Sequence, residues 1–243
     1  MSISGIATRN YRKITKSVGM RGVKKTLIYA LQWPFIVANE RHKLRERNSI
    51  QFEFDRQYKT DTAGIIPLST FAIEDPLWVH GVRYAPTSPQ AFRDALSLLE
   101  LSPERYRDFT FVDVGSGKGA VLLYAAELKF KAIYGIELVG QLHDIAVTNI
   151  ARYPAARGIT TPVCGDATKF QMPGPPLLVF FNYPFSSREL MERVIANISN
   201  AGPGPKFIVA MNYPYDPSAG SRSTLRLIRR VATHRADYAF EVL

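Results

Sequence analysis

Cysteine is almost missing from this sequence. Cys164 stands alone among 243 residues, so no disulfide can form within the chain, which fits a reducing compartment. Long apolar runs are missing too. The first 25 residues hold none that could serve as the core of a signal peptide. The most apolar early stretch, "TLIYALQWPFIVA" at 26–38, is shorter than the roughly 20 residues that a membrane-crossing helix needs. Its size and its basic flanks suit a helix kinked at Pro34 that packs on the main body, or an interfacial anchor. Repeats and low-complexity tracts are absent. Acidic residues are scarce at one end: residues 1–60 carry 4 Asp and Glu against 13 Lys and Arg. That segment therefore holds +9 of the net +10. A basic arm of this kind attracts phosphates of nucleic acid or lipid, or an acidic partner.

What is present begins with an irregular stretch at 51–88, rich in aromatics, Pro, Thr and Gly. A regular pattern follows. Ser88 and Pro89 read as the N-cap and first residue of a helix that places Phe92, Ala95, Leu96 and Leu99 on one side. "FTFVDV" (109–114), "AIYGIEL" (132–138), "TTPVC" (160–164), "LLVFFN" (177–182) and "KFIVAMN" (206–212) read as strands. Between them lie the helical "AVLLYAAEL", apolar almost all round, "GQLHDIAVTNIARY" with Leu142, Ile145, Ala146 and Ile150 on one stripe, and "SRELMERVIANI". A helix at 221–229 and a hairpin within 230–243 complete the expectation. Alternating strands and helices with near-continuous apolar strands predict an α/β fold, a parallel sheet covered on both faces. Ligands of such sheets sit beyond the carboxyl ends of the strands, at the switch point.

The loop "GSGKG" at 115–119 lies at such a strand end. It is not a phosphate loop. That motif needs a glycine five residues before Gly117, where Val112 stands, and a hydroxyl residue after Lys118, where Gly119 stands. The dinucleotide pattern is met by Gly115, Gly117 and Ala120, with Glu137 ending the next strand. Asp113, Gly119 and Asp166 add a different reading. Asp113 could accept hydrogen bonds from a methionine ammonium, which a dinucleotide lacks, and Asp166 stands where an adenine amino group could be bound.

Taken together, Asp113-x-Gly115-x-Gly117-x-Gly119, Glu137, "GDA" at 165–167 and "FNYPF" at 181–185 resemble the class I S-adenosylmethionine-dependent methyltransferases over residues 109–215. The resemblance implies a Rossmann-like sheet, mostly parallel with a C-terminal antiparallel hairpin and helices on both faces. With the charge distribution, the expectation is a basic N-terminal helical extension at 1–50 and a methyltransferase domain at 51–243, with 51–88 as lid or acceptor segment. Asp113, Gly115, Gly117 and Gly119 would hold the methionine part of S-adenosyl-L-methionine. Glu137 would bind the ribose, and Asp166 with Ala167 the adenine. No metal is expected. The segment "YAPTSPQAFRDAL" from Tyr84 is similar to one in small lysine methyltransferases related to those that modify the ATP synthase c subunit. Those relatives carry Arg after the third glycine, where this chain has Ala120.

On the acceptor side, "FNYPF" resembles the [DNS]-P-P-[FYW] motif of amino-group methyltransferases, with Tyr183 in place of the first proline. Asn182 would accept a hydrogen bond from the nucleophilic nitrogen. Phe185, Tyr84 and Tyr183 would wall the pocket, and Asp61 and His80 are candidate proton acceptors. A second copy, "MNYPY" at 211–215, puts Asn212 at the next strand end, as a turn or as a pocket residue. The leading expectation is methyl transfer to a nitrogen acceptor, a protein lysine first, in a cytoplasmic protein whose residues 1–40 are a candidate peripheral membrane contact. RNA or nucleobase N-methylation, a nicotinamide-dependent oxidoreductase and a non-catalytic cofactor-binding module are the alternatives.

Overall fold

A computed structural model describes residues 49–71, 73, 75–213, 216, 224–232 and 236–243. The chain divides into two units, Met1–Ser49 and Ile50–Leu243. The second is the subject here. The basic N-terminal extension and the membrane contact expected at 1–40 lie outside the described residues.

The expected irregular stretch starts with a helix instead. Residues 50–58 (α1) are helical, because Phe54 and Tyr58, one turn apart, pack on Tyr124 and Tyr153. Short 3-10 turns at Leu68–Thr70 and Pro76–His80 follow. Helix α2 (Pro89–Ser97) begins as expected, with the Ser88 hydroxyl accepting from the Ala91 N–H. Then come β1 (Thr110–Val114), α3 (Ala120–Glu127), β2 (Ala132–Glu137), α4 (Gly140–Arg152), β3 (Thr160–Cys164), β4 (Leu177–Phe181), α5 (Arg188–Ser199), β5 (Lys206–Tyr213), β6 (Leu225–Ala232) and β7 (Ala236–Val242).

The sheet runs β3-β2-β1-β4-β5-β7-β6. Strands β1 to β5 pair in parallel, whereas β7 is antiparallel to both β5 and β6, so β7 alone is reversed. Side chains that alternate along each central strand feed two cores. Phe111, Leu178 and Phe180 join α2 and α3 on one face. Val112, Val114, Leu177, Val179 and Phe181 join α5 on the other. That two-sided burial is why these strands are apolar at every position.

The helix expected at 221–229 is overturned over its described residues, since 225–229 belong to β6. Leu225 and Ile228 suggest a helical turn, but Leu225, Leu227 and Val231 also fit a period of two. Antiparallel pairing with β7 decides between them. Arg226 bonds to Glu241 on β7, and Arg229 to Glu100.

Strand order reverses between β1 and β4. Val114 and Phe181 are register partners, so Gly115 and Asn182, the next residues, leave the sheet side by side at the switch point.

Candidate active site

The glycine loop needs glycine for its backbone and for its neighbours. Gly115, Gly117 and Gly119 all have left-handed φ values, +77°, +55° and +85°. A Cβ on Gly115 would stand 2.7 Å from Pro184 Cβ, and one on Gly117 would stand 2.4 Å from the Tyr84 ring. The loop therefore joins two segments distant in sequence. An open cleft of about 1050 Å³, its solvent-filled mouth included, lies above it. Asp113, the three loop residues 115–117, Glu137, Asp166, Ala167, Asn182, Pro184 and Phe185 all line this space.

Asp113 is buried and faces the cleft. Its carboxylate has no hydrogen-bond partner among the described residues. Burial, and next the charge of Glu137, push its pKa well above the usual carboxylate range. Glu137 is equally buried but well bonded. Its Oε2 accepts from the Gly117 N–H at 2.7 Å and its Oε1 from the Val139 N–H at 2.9 Å. Burial raises its pKa, and the backbone donors of Val139, Gly117 and Leu138 oppose the rise. A carboxylate can accept about four hydrogen bonds, so Glu137 keeps acceptor capacity. Asp166 is turned inward on its own chain, with its Oδ1 accepting from the Thr168 N–H and its carboxylate bonded to the Thr168 hydroxyl. Gly119 packs its backbone toward Ala146 on α4 and is not part of the cleft lining.

On the β4 side, Asn182 Nδ2 donates to Thr87 Oγ1 at 2.8 Å, and Asn182 Oδ1 accepts from Asn212 Nδ2 at 2.7 Å. Phe185 bridges to Gly81 and lines the cleft beside Leu77, Trp78 and Val82. One expected aromatic is placed differently, and another has a second role. Tyr183 adopts φ +48°, which turns its ring away from the cleft onto Tyr213, edge to face at 5.2 Å. It is not a wall of the pocket. Tyr84 does line the cleft, yet it acts as a strut. Its ring fills the space left by Gly117, its hydroxyl donates to the Thr62 carbonyl, and Lys118 Nζ sits 5.6 Å from its centroid. Burial is the main cause of its raised pKa. Neither Asp61 nor His80 lines the cleft. Asp61 is the partner of Lys118, and the His80 carbonyl accepts from the Ser186 N–H.

Sequence reasoning missed the polar lock that holds segment 60–63 on the loop. Asp55, near the end of α1, accepts from the Thr60 hydroxyl, the Thr62 N–H and hydroxyl, and the Ala63 N–H. Lys118 Nζ donates to Asp61 Oδ1 at 2.6 Å and to the Ala63 carbonyl at 3.0 Å. Asn149, fully buried on α4, accepts from the Asp61 N–H and donates to the carbonyls of Asp61 and Lys118. The crowding of Asp and Thr in "FDRQYKTDTAG" was the available signal. Lys118→Ala should lower stability by about 1–3 kcal/mol, the scale of lost hydrogen bonds to a charged group. Asp61 is 59% exposed, so the ion pair itself adds little. The denaturant midpoint checks this. A midpoint equal to that of the wild type would show that the lock carries no load.

No protein-family profile matches this chain, and no curated protein matches it. Solved structures do. A candidate methyltransferase of Escherichia coli, yhhF, is 19% identical with a TM-score of 0.52, covering 74% of this chain and 98% of its own. A candidate RNA methyltransferase of Pyrococcus horikoshii is 17% identical with a TM-score of 0.50, covering 72% and 94%. A candidate methylase of Haemophilus influenzae is 13% identical, also at 0.50, covering 62% and 96%. The chain has the Rossmann-like fold of the class I methyltransferases, with its sheet order and its single reversed strand.

Proposed function

We propose that this protein transfers a methyl group from S-adenosylmethionine to a nitrogen acceptor, with protein lysine as the leading class. The observation that carries the reading is Asp113. A carboxylate on a buried residue, open to the cleft and with no hydrogen-bond partner among the described residues, beside three left-handed glycines at the switch point, suits a cationic ligand group. S-adenosylmethionine has an ammonium to offer it, and a dinucleotide has none. The remaining acceptor capacity of Glu137 suits the ribose hydroxyls, and Asp166 with Ala167 suits the adenine. When bound, the cofactor supplies a methyl group already activated by its sulfonium. The chain supplies position and dryness. Asn182 would hold the nucleophile, while Phe185, Trp78 and Val82 keep water away. Apolar walls also favour the neutral amine over the ammonium, as a lysine acceptor requires. The Tyr84-x-Pro86-Thr87 resemblance supports lysine. The +9 segment at 1–60 supports RNA as a second acceptor class.

Calorimetry with S-adenosylhomocysteine and with NAD tests the cofactor, and binding of NAD alone would overturn it. Labelled S-adenosylmethionine incubated with fractionated cell extract tests the acceptor. Label in protein, on lysine, is expected. Label in RNA would replace the lysine reading.

Cofactor binding should depend on pH through Asp113. With raised folded values, Asp113 and Glu137 add stability to the ligand-free protein below their unfolded pKa of about 4. That stability is lost as pH rises through their folded values. An ammonium beside Asp113 favours its ionised form. S-adenosylhomocysteine affinity should therefore fall as pH drops below the raised Asp113 value, with a proton released on binding. Calorimetry in buffers of different ionisation heat measures that proton. Asp113→Asn should weaken binding and abolish the release, and an unchanged release in this variant would reassign it.

A further inference from the structure

We infer that Asn212 is a positioning residue that sets which end of the Asn182 amide serves the nucleophile, an inference that rests on the methyl-transfer reading. Asn182 is held between two partners. Thr87 is nearly fully buried, and its hydroxyl can accept or donate equally well. Thr87 therefore satisfies either orientation of the Asn182 amide and selects neither. The choice follows the end of its own amide that Asn212 presents. Its Nδ2 faces Asn182 at 2.7 Å, which keeps the oxygen of Asn182 on that side and turns its nitrogen toward Thr87.

The backbone is shaped to deliver this contact. Pairing between β5 and β7 shifts register between Ala210 and Tyr213. Within that irregularity Asn212 takes φ +60°, a conformation that Asn tolerates better than most residues. Its N–H leaves the strand ladder and donates to Asp237 Oδ1 on β7 at 2.8 Å. Irregularities of this kind re-aim a side chain. Asp237 pins the backbone, the backbone aims Asn212, and Asn212 orients Asn182. One lone pair of Asn182 Oδ1 is thereby used and the other is left to accept. On the Asn212 side the amide offers the nucleophile an acceptor, where the inverted amide would offer an N–H. That position suits nucleophiles that carry a hydrogen, such as an amine, better than those that carry none, such as a carboxylate.

Two variants test this. In Asn212→Asp the new carboxylate cannot donate, so the amide of Asn182 must turn over, with Nδ2 toward residue 212 and the Thr87 hydroxyl donating to Oδ1. In Asn212→Gly the left-handed backbone is retained at no steric cost and the amide is freed. The direct readout is the side-chain amide signal of Asn182 in an NMR spectrum of the full protein, which requires neither cofactor nor acceptor. It should move downfield in Asn212→Asp. An unmoved signal overturns the inference whatever the activity. The second readout is single-turnover transfer from labelled S-adenosylmethionine to the extract fraction that the wild type labels. Asn212→Asp should be slower by about 10²-fold, the scale of one misplaced polar group, with S-adenosylhomocysteine affinity retained. In an Asn182→Ala background the same substitution should cost nothing further. An equal cost in both backgrounds would make Asn212 merely structural. A wild type that binds no S-adenosylhomocysteine would defeat the methyl-transfer reading instead, and the NMR result would still decide the orientation of Asn182.

Discussion

Gly117→Val should abolish binding of S-adenosylhomocysteine and lower the melting temperature by about 10 °C. The backbone at this residue has φ +55°, which costs an ordinary residue roughly 1–2 kcal/mol and a β-branched one more. The new Cβ would also stand 2.4 and 2.6 Å from Tyr84 Cε2 and Cδ2. Tyr84 has little room to yield, since its hydroxyl is tied to Thr62 and Lys118 lies against its ring. Overpacking adds about 1–3 kcal/mol, and each kcal/mol moves the melting temperature of a domain this size by about 2–4 °C. Relief would come from moving the loop, which breaks the bond between the Gly117 N–H and Glu137 and misplaces both at once. Calorimetry and thermal unfolding read the two effects. Undiminished affinity in Gly117→Val would put the cofactor site elsewhere.

Asn182→Ala should leave S-adenosylhomocysteine affinity near that of the wild type and slow methyl transfer by about 10²-fold, the scale of losing one positioned polar group. The residue is at the end of β4, beside the glycine loop and across from the carboxylates. The truncation also strips Thr87 and Asn212 of a partner, so a loss of about 1–2 kcal/mol in stability accompanies it. Transfer must therefore be counted per folded molecule. A variant that melts early and transfers normally would reduce Asn182 to a bracket between Thr87 and Asn212.

The central strands were legible because burial on two faces makes them apolar throughout, and no surface demand blurs that signal. The carboxylates Asp113, Glu137 and Asp166 were legible as a set because strand ends in this topology converge on one edge. Tyr183 was not. Its placement follows from a left-handed backbone at a non-glycine residue, which spacing does not reveal. Tyr84 does line the cleft, but its second role was not legible, because its counterpart is a missing side chain 33 positions later. Gly117 looked like room for a ligand, and part of that room belongs to Tyr84. Lys118, Asp61 and Asn149 stayed hidden for a related reason. Each is an ordinary polar residue until the fold brings together three segments that lie far apart in the chain. Residues 225–229 satisfied a helical and a strand period together, and only pairing with β7 could choose.

The place of β7 makes one strand answer for two parts of the molecule. It follows β6 in the chain yet lies between β5 and β6, so without residues 236–242 the edge of β5 would stand open. An unpaired edge of a partly folded sheet is the usual point at which chains stick to one another. The residues around Asp113, Glu137 and Asp166 need only β1 to β4 beside them. Asn212 depends also on Asp237, which β7 carries. One strand thus covers the β5 edge and holds the backbone of Asn212 beside Asn182.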